Sequence, residues 1–139
     1  MSGLSASDRT EIAEVVRRAD DRATARNVDG YLALTTEDME LDGDKGTASG
    51  RENVRRAISA IWAAEPAGTR HLTTDVRIDA TSDSTAHVRS TLSLVSGDEK
   101  NPVPGPVVSI DQLVRRVGGR WLIARRTVAG GDSDGDGQA

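Results

Sequence analysis

The sequence predicts an α+β domain in which helices pack on one face of a strongly curved, mainly antiparallel sheet and leave a cone-shaped pocket on its concave side. Two observations predict it. Apolar residues recur at helical spacing through the first part of the chain and change to a period of two from residue 70 onward. The helical segments precede the long strands, the order of an α+β layer rather than of alternating βαβ units. At 139 residues the chain fits one domain with a single core.

Residues 5–26 read as a helix, with Ile12, Val15, Val16, Ala19 and Ala23 on one face. Ser5 followed by Asp8, or Ser7 followed by Thr10 and Glu11, supplies N-terminal capping chemistry, and Arg17, Arg18 and Arg22 suit the C-terminal half of the helix dipole. Asn27 to Gly30 breaks this helix, and Asp29 can cap a short second one carrying Tyr31, Leu32 and Leu34. A short strand is expected over 39–42 and turn material over 43–50. Residues 51–65 form the next helix, with Val54, Ala57, Ile58, Ile61 and Trp62 on one face and Pro66 and Gly68 ending it.

From residue 71 to 79 the pattern alternates, with Leu72, Val76 and Ile78 on one side. After a turn at 81–84 it alternates again over 85–95 through Ala86, Val88, Leu92 and Leu94. Residues 96–106 are rich in Gly and Pro and read as a loop. Residues 107–117 and 120–128 read as a hairpin around Gly118-Gly119. The domain thus spans 5–128, followed by a Gly/Asp-rich tail, 129–139, with nothing to bury and an expectation of disorder.

Composition narrows the function. There are no cysteines, so disulfides, thiolate metal sites and a cysteine nucleophile are excluded. The net charge is −4, there is no Phe, and Tyr and Trp number one and two, which argues against nucleic-acid binding. No apolar stretch approaches a bilayer span, and the first ten residues carry no basic patch followed by an apolar run. A cytoplasmic location and no membrane association are expected. The heavy use of Arg, Ala, Gly and Asp suggests a bacterial genome rich in G and C. No metal is expected, since the two histidines, His71 and His87, lack carboxylates at ligand spacing. The tail lacks the twelve-residue calcium loop. No Gly-rich phosphate loop or G-x-S-x-G elbow is present, so no cofactor is expected.

Three stretches carry a family likeness: GRENVRRAI (50–58), RHLTTDVRIDATSDSTAHVRS (70–90) and IDQLVRRVGGRWLIARR (110–126). In this order and spacing they resemble the SnoaL-like branch of the nuclear transport factor 2-like superfamily, over roughly residues 8–128. That resemblance implies the cone-shaped fold and frequent homodimers. Its members include polyketide cyclases, scytalone-type and bile-acid dehydratases, ketosteroid isomerases and epoxide hydrolases.

The resemblance makes His71 a general acid or base, a role that imidazole suits near neutrality. Asp111 sits on a strand otherwise built from Val, Ile and Leu, and a carboxylate there needs a partner. It is a candidate to orient His71 or to pair with an arginine; the alternative is a charge facing water. Arg125 and Arg126 are candidates for binding an anionic or carbonyl group, and alternation leaves open which of them points inward.

Asp20, Asp21 and Thr24 lie on the first helix; Asp20 and Thr24 share a face and are candidate ligand contacts, and the plainer reading of Asp20 and Asp21 is a charge pair on a solvated face. The dehydratases resembled here carry a Tyr and an Asp on this helix, and the matching positions are Ala19 and Thr24. Asp42 and Asp44 lie where the isomerases place a base, but the stretch around Gly43 reads more simply as a turn. Trp62, Trp121 and Tyr31 are the large residues available to line a pocket. The expected function is cofactor-independent acid–base catalysis, of cyclase, dehydratase or isomerase type, on a small hydrophobic cyclic or polyketide-like metabolite. The alternative is a non-catalytic ligand-binding or dimerisation module of the same fold.

Overall fold

The first helix, α1 (Ala6–Thr24), starts where the sequence supplies a cap. Ser5 Oγ accepts from the Asp8 N–H at 3.0 Å, and Asp8 Oδ2 accepts from the Ser5 N–H at 3.2 Å. Asp8 has a second task. It accepts from Trp121 Nε1 at 3.2 Å and pairs with Arg116, whose guanidinium lies 5.1 Å from the centre of the Trp121 ring. The Trp121 hydrogen bond leads the effects that hold the Asp8 carboxyl below its ordinary range. The helix N-terminus is thereby fastened to the last strand.

In this computed structural model, residues 4–43 and 46–128 are described; Asp44, Lys45 and the 129–139 tail lie outside that range. After α1 come α2 (Val28–Leu32), β1 (Thr35–Gly43), β2 (Gly46–Ser49) and α3 (Arg51–Ala63). The long strands β3 (Arg70–Ala80), β4 (Thr85–Gly97), β5 (Pro102–Val117) and β6 (Arg120–Val128) follow. Among the described residues the strands form one six-stranded sheet in the order β2-β1-β6-β5-β4-β3. β1 runs parallel to β6 and the other neighbours are antiparallel. The expected α+β architecture is the one observed.

Three boundaries differ from the sequence reading. β1 begins at Thr35 rather than at 39, because Thr35 and Thr36 are buried beside β6. Part of the expected turn at 43–50 is strand β2, which pairs back on β1. Residues 102–106, expected as loop, already belong to β5. Among the described residues β6 pairs with β5 only from Ile110, so the stretch containing Pro102, Pro104 and Pro106 is paired there on its β4 side alone, and prolines lacking a donor are tolerated at such an edge. Gly118 and Gly119 have φ of 58° and 80°, the conformation of a tight hairpin turn that glycine enters without steric cost.

Two bulges decide which side chains face the helices. On β6, Ile123 pairs with Val114 and Arg125 with Leu113, leaving Ala124 as an extra residue. Trp121 and Ile123 are buried before the bulge; Arg126 is buried after it. On β3, Thr74 pairs with Thr91 and Arg77 with Arg89, so Asp75 and Val76 stand opposite Ser90 alone. His71 is buried before this bulge, and Val76 and Ile78 pack on the core after it. The uninterrupted alternation expected through Leu72, Val76 and Ile78 therefore fails, and Leu72 is exposed on the outer face.

Asp75 occupies the bulge with φ of 55°, a left-handed conformation that Asp adopts more readily than a β-branched residue. Its side chain is exposed. We expect Asp75→Val to lose about 1–2 kcal/mol of stability, and Asp75→Gly to be neutral or slightly stabilising. Urea denaturation of the two variants checks this. Equal losses in both would remove the backbone explanation.

Candidate functional site

The concave face of the sheet, α1, α3 and the β1–β2 hairpin enclose a cavity of about 520 Å³. Its walls are apolar, with Leu41, Ile58, Ile61, Trp62, Leu92 and Val108 among them. α3 turns Ala57, Ala60 and Ala64 toward it, and these short side chains leave the space open. Two polar groups interrupt the apolar wall.

One group is built on the buried Asp20 of α1. Asp20 Oδ2 accepts from Thr73 Oγ1 at 2.5 Å, and Oδ1 accepts from Arg126 Nη1 at 3.3 Å. A carboxylate on the apolar face of a helix requires such partners. Burial works against the Arg126 charge, yet the Asp20 carboxylate outweighs it, and the guanidinium is held above its ordinary value. Tyr31, on α2, lines the same end of the cavity. It is 2% exposed, and its hydroxyl has no hydrogen-bond partner among the described residues.

The second group centres on His71 at the start of β3. Its main-chain N–H donates to Thr24 Oγ1 at 2.8 Å, which ties the strand to the end of α1. Its ring stands edge-on to Trp62, which stands edge-on to Tyr31. His71 Nε2 lies 3.0 Å from Glu65 Oε1, and the same oxygen is 3.1 Å from Arg26 Nη2. His71 Nδ1 is buried without a partner among the described residues. With Glu65 as acceptor, the neutral ring carries its proton on Nε2 and keeps a bare lone pair on Nδ1.

The structure thus brings five of the candidate residues to the cavity: His71, Asp20, Arg126, Tyr31 and Trp62. Four others lie elsewhere. Asp111 is on the outer face, 42% exposed, with His87 Nδ1 at 3.9 Å as its neighbour rather than His71. It alternates with the buried Ile110 and Gln112, which take the inner face. Arg125 is also outside, near Glu40 and Asp42 at 3.6 and 3.8 Å, because the Ala124 bulge turns Arg126 inward instead. Trp121 is core, held by Asp8 and by Glu11, which accepts its main-chain N–H at 3.1 Å. The Thr24 hydroxyl is engaged by the His71 backbone and does not line the cavity.

Sequence reasoning missed Glu65 and Arg26. A signal existed for Glu65: an acidic residue just past the C-terminus of α3 opposes the helix dipole. It therefore needs another reason to be there. Among the described residues no group of three His, Asp or Glu side chains is placed to hold a metal ion.

A helix-covered, curved mixed sheet around an apolar cavity with a few buried polar groups defines a small-molecule pocket protein. The chain belongs to the SnoaL-like domain family, which matches residues 5–127. Its structure is similar to a Nostoc punctiforme protein of unknown function with a cystatin-like fold. The two share 26% identity and a TM-score of 0.83 over 90% of this chain and 92% of that one. ActVI-ORFA from Streptomyces coelicolor matches with 21% identity and a TM-score of 0.77, over 86% of this chain and 95% of that one. A candidate scytalone dehydratase from Novosphingobium aromaticivorans matches with 21% identity and a TM-score of 0.74, over 88% and 83%. No protein of curated function matches the chain.

The burial of Tyr31 yields a pH prediction. Burial, as the largest effect, pushes its phenol above the ordinary value of 10.0; Arg126 opposes this and Asp20 adds to it. The folded protein retains the phenol proton at pH values where the unfolded chain releases it. This stabilising contribution is full below the unfolded value and is lost as pH rises through the folded one. Tyr31 is the only tyrosine, so tyrosinate absorbance reports it alone. We expect that absorbance to appear together with alkaline unfolding. A smooth titration at the ordinary value in folded protein would contradict it.

Proposed function

We propose that this protein is a cofactor-independent acid–base catalyst acting on a small, uncharged, hydrophobic metabolite of cyclic or polyketide-like type. The observation that carries the reading is His71: a buried imidazole on the cavity wall, with Nε2 held by Glu65 and Nδ1 unpartnered. In this reading Nδ1 takes a proton from a carbon beside a carbonyl. The electrons of that C–H bond move to the carbonyl oxygen. Arg126 and the free Tyr31 hydroxyl are the groups available to receive the developing charge. The imidazolium then returns the proton: to another carbon, giving isomerisation; to the alkoxide formed when the enolate carbon attacks a second carbonyl of the same molecule, giving ring closure; or to a departing hydroxyl, giving dehydration.

The electrostatics favour a neutral substrate. Arg126 is compensated by Asp20, and Glu65 by Arg26, so neither end of the cavity offers a free unit charge to an ionised ligand. The similarity to a candidate scytalone dehydratase adds to the case for dehydration chemistry. A second reading, a ligand-binding protein without catalysis, is favoured by one observation. Ala19 is plain core, and Thr24 is spent on the His71 backbone, so α1 places only Asp20 and Ala23 at the cavity.

A thermal-shift screen against polycyclic and polyketide-like compounds, with His71→Ala alongside, tests both readings. A ligand that binds only the folded state raises Tm by mass action. For a compound that is turned over, we expect His71→Ala to lower kcat by about 10²–10⁴-fold. A folded His71→Ala variant with full activity would eliminate His71 as the proton carrier. Tight binding without turnover in either protein would favour the second reading.

A further inference from the structure

The segment that ends α1 contains a residue that local structure does not explain. The helix closes in a Schellman pattern: the Arg26 N–H bonds the Ala23 carbonyl at 3.1 Å, and the Asn27 N–H bonds the Arg22 carbonyl at 2.9 Å. In this pattern the residue after the cap adopts the left-handed conformation, which glycine enters freely. Here that residue is Arg26, with φ of 58°. Arginine carries the steric cost of its Cβ at this φ and has no polar side chain short enough to relieve it locally.

What the arginine does there is visible at its far end. Nη1 donates to the Ala23 carbonyl at 2.8 Å and lies 3.5 Å from the Thr69 carbonyl. Nη2 reaches Glu65 Oε1 at 3.1 Å, the same oxygen that faces His71 Nε2. One guanidinium therefore joins the end of α1, the approach to β3 and the segment after α3. The Glu65 side chain is 10% exposed, and a carboxylate so placed needs a counter-charge. Among the described residues Arg26 and His71 are the basic groups within ion-pair distance of it.

We propose that Arg26 is a positioning residue for His71. It holds the Glu65 carboxylate in place as an acceptor, so that the imidazole keeps its proton on Nε2 and leaves Nδ1 bare. The catalytic meaning of this role rests on the reading of His71 given above; the tautomer itself does not. Without Arg26, Glu65 is left buried with no counter-charge beside a neutral imidazole. It then swings away toward solvent, and that movement releases the Nε2–H tautomer.

The test is long-range nitrogen–proton NMR correlation of the two histidine side chains in the full chain at neutral pH, with His71→Asn assigning the signals. In the native protein we expect His71 to show a protonated Nε2 and a bare Nδ1. Arg26→Gly fits the backbone conformation and is expected to fold with Tm at or above that of the native chain. Arg26→Gln removes the charge while retaining a long polar side chain. Both should lose the single-tautomer pattern, and Arg26→Lys should restore it in part. Retention of the native pattern in both Arg26→Gly and Arg26→Gln would overturn the proposal, whatever the protein's activity. Loss of the pattern in both, in a protein that turns over no compound, would support Arg26 as the positioning group while the catalytic reading fails.

Discussion

The buried pair of Asp20 and Arg126 is the constraint around which the rest is arranged. Asp20 lies on the apolar face of α1 and cannot be desolvated alone. Its two oxygens are met from two strands far apart in the sheet, Thr73 on β3 and Arg126 on β6. That requires a sheet curved enough to bring both strands to one helix. It also requires Arg126 to point inward, which the Ala124 bulge provides. Bulges bend a strand as well as shift its phase, so one irregularity contributes to both conditions. The pair is poor evidence for stability, because well-packed apolar replacements are often no worse. Both residues of the pair lie on the cavity wall.

The cavity keeps its charges in compensated pairs at two places and leaves the wall between them apolar. Such a site orients a neutral molecule by a few hydrogen bonds and binds its body by burial. The aromatic chain of Tyr31, Trp62 and His71 links the two polar ends through edge-on contacts. These rings are packed against each other, so the polar atoms on Tyr31 and His71 are held in fixed directions rather than left to search.

Members of one fold family can keep the cavity and move the groups that use it. In this chain the carboxylate that meets His71 comes from the segment after α3, whereas the resembled dehydratases carry an Asp on the first helix. The matching position, Thr24, serves the His71 backbone instead. A carboxylate supplied from a different segment needs its own support, and Arg26 supplies it at the cost of a strained backbone. The two departures from local rule, an acid at a helix C-terminus and an arginine in a glycine conformation, belong to one network.

The sequence by itself determined the order and type of the main elements, the α+β class and the family, because periodicity, capping and turn chemistry are local properties. His71 was legible as a cavity candidate through the family resemblance, and Asp20, Tyr31 and Trp62 from residue type and helical position. The fate of the two adjacent arginines and of Asp111 was decided only in the tertiary structure. Strand alternation has a period of two, and a single bulged residue reverses every side chain beyond it. Nothing local at Ala124 announces that reversal, so neither arginine could be assigned to the inner face beforehand. Nor did sequence spacing join Arg26 and Glu65 to His71. Three chain segments meet there only when α1, α3 and β3 pack against one another.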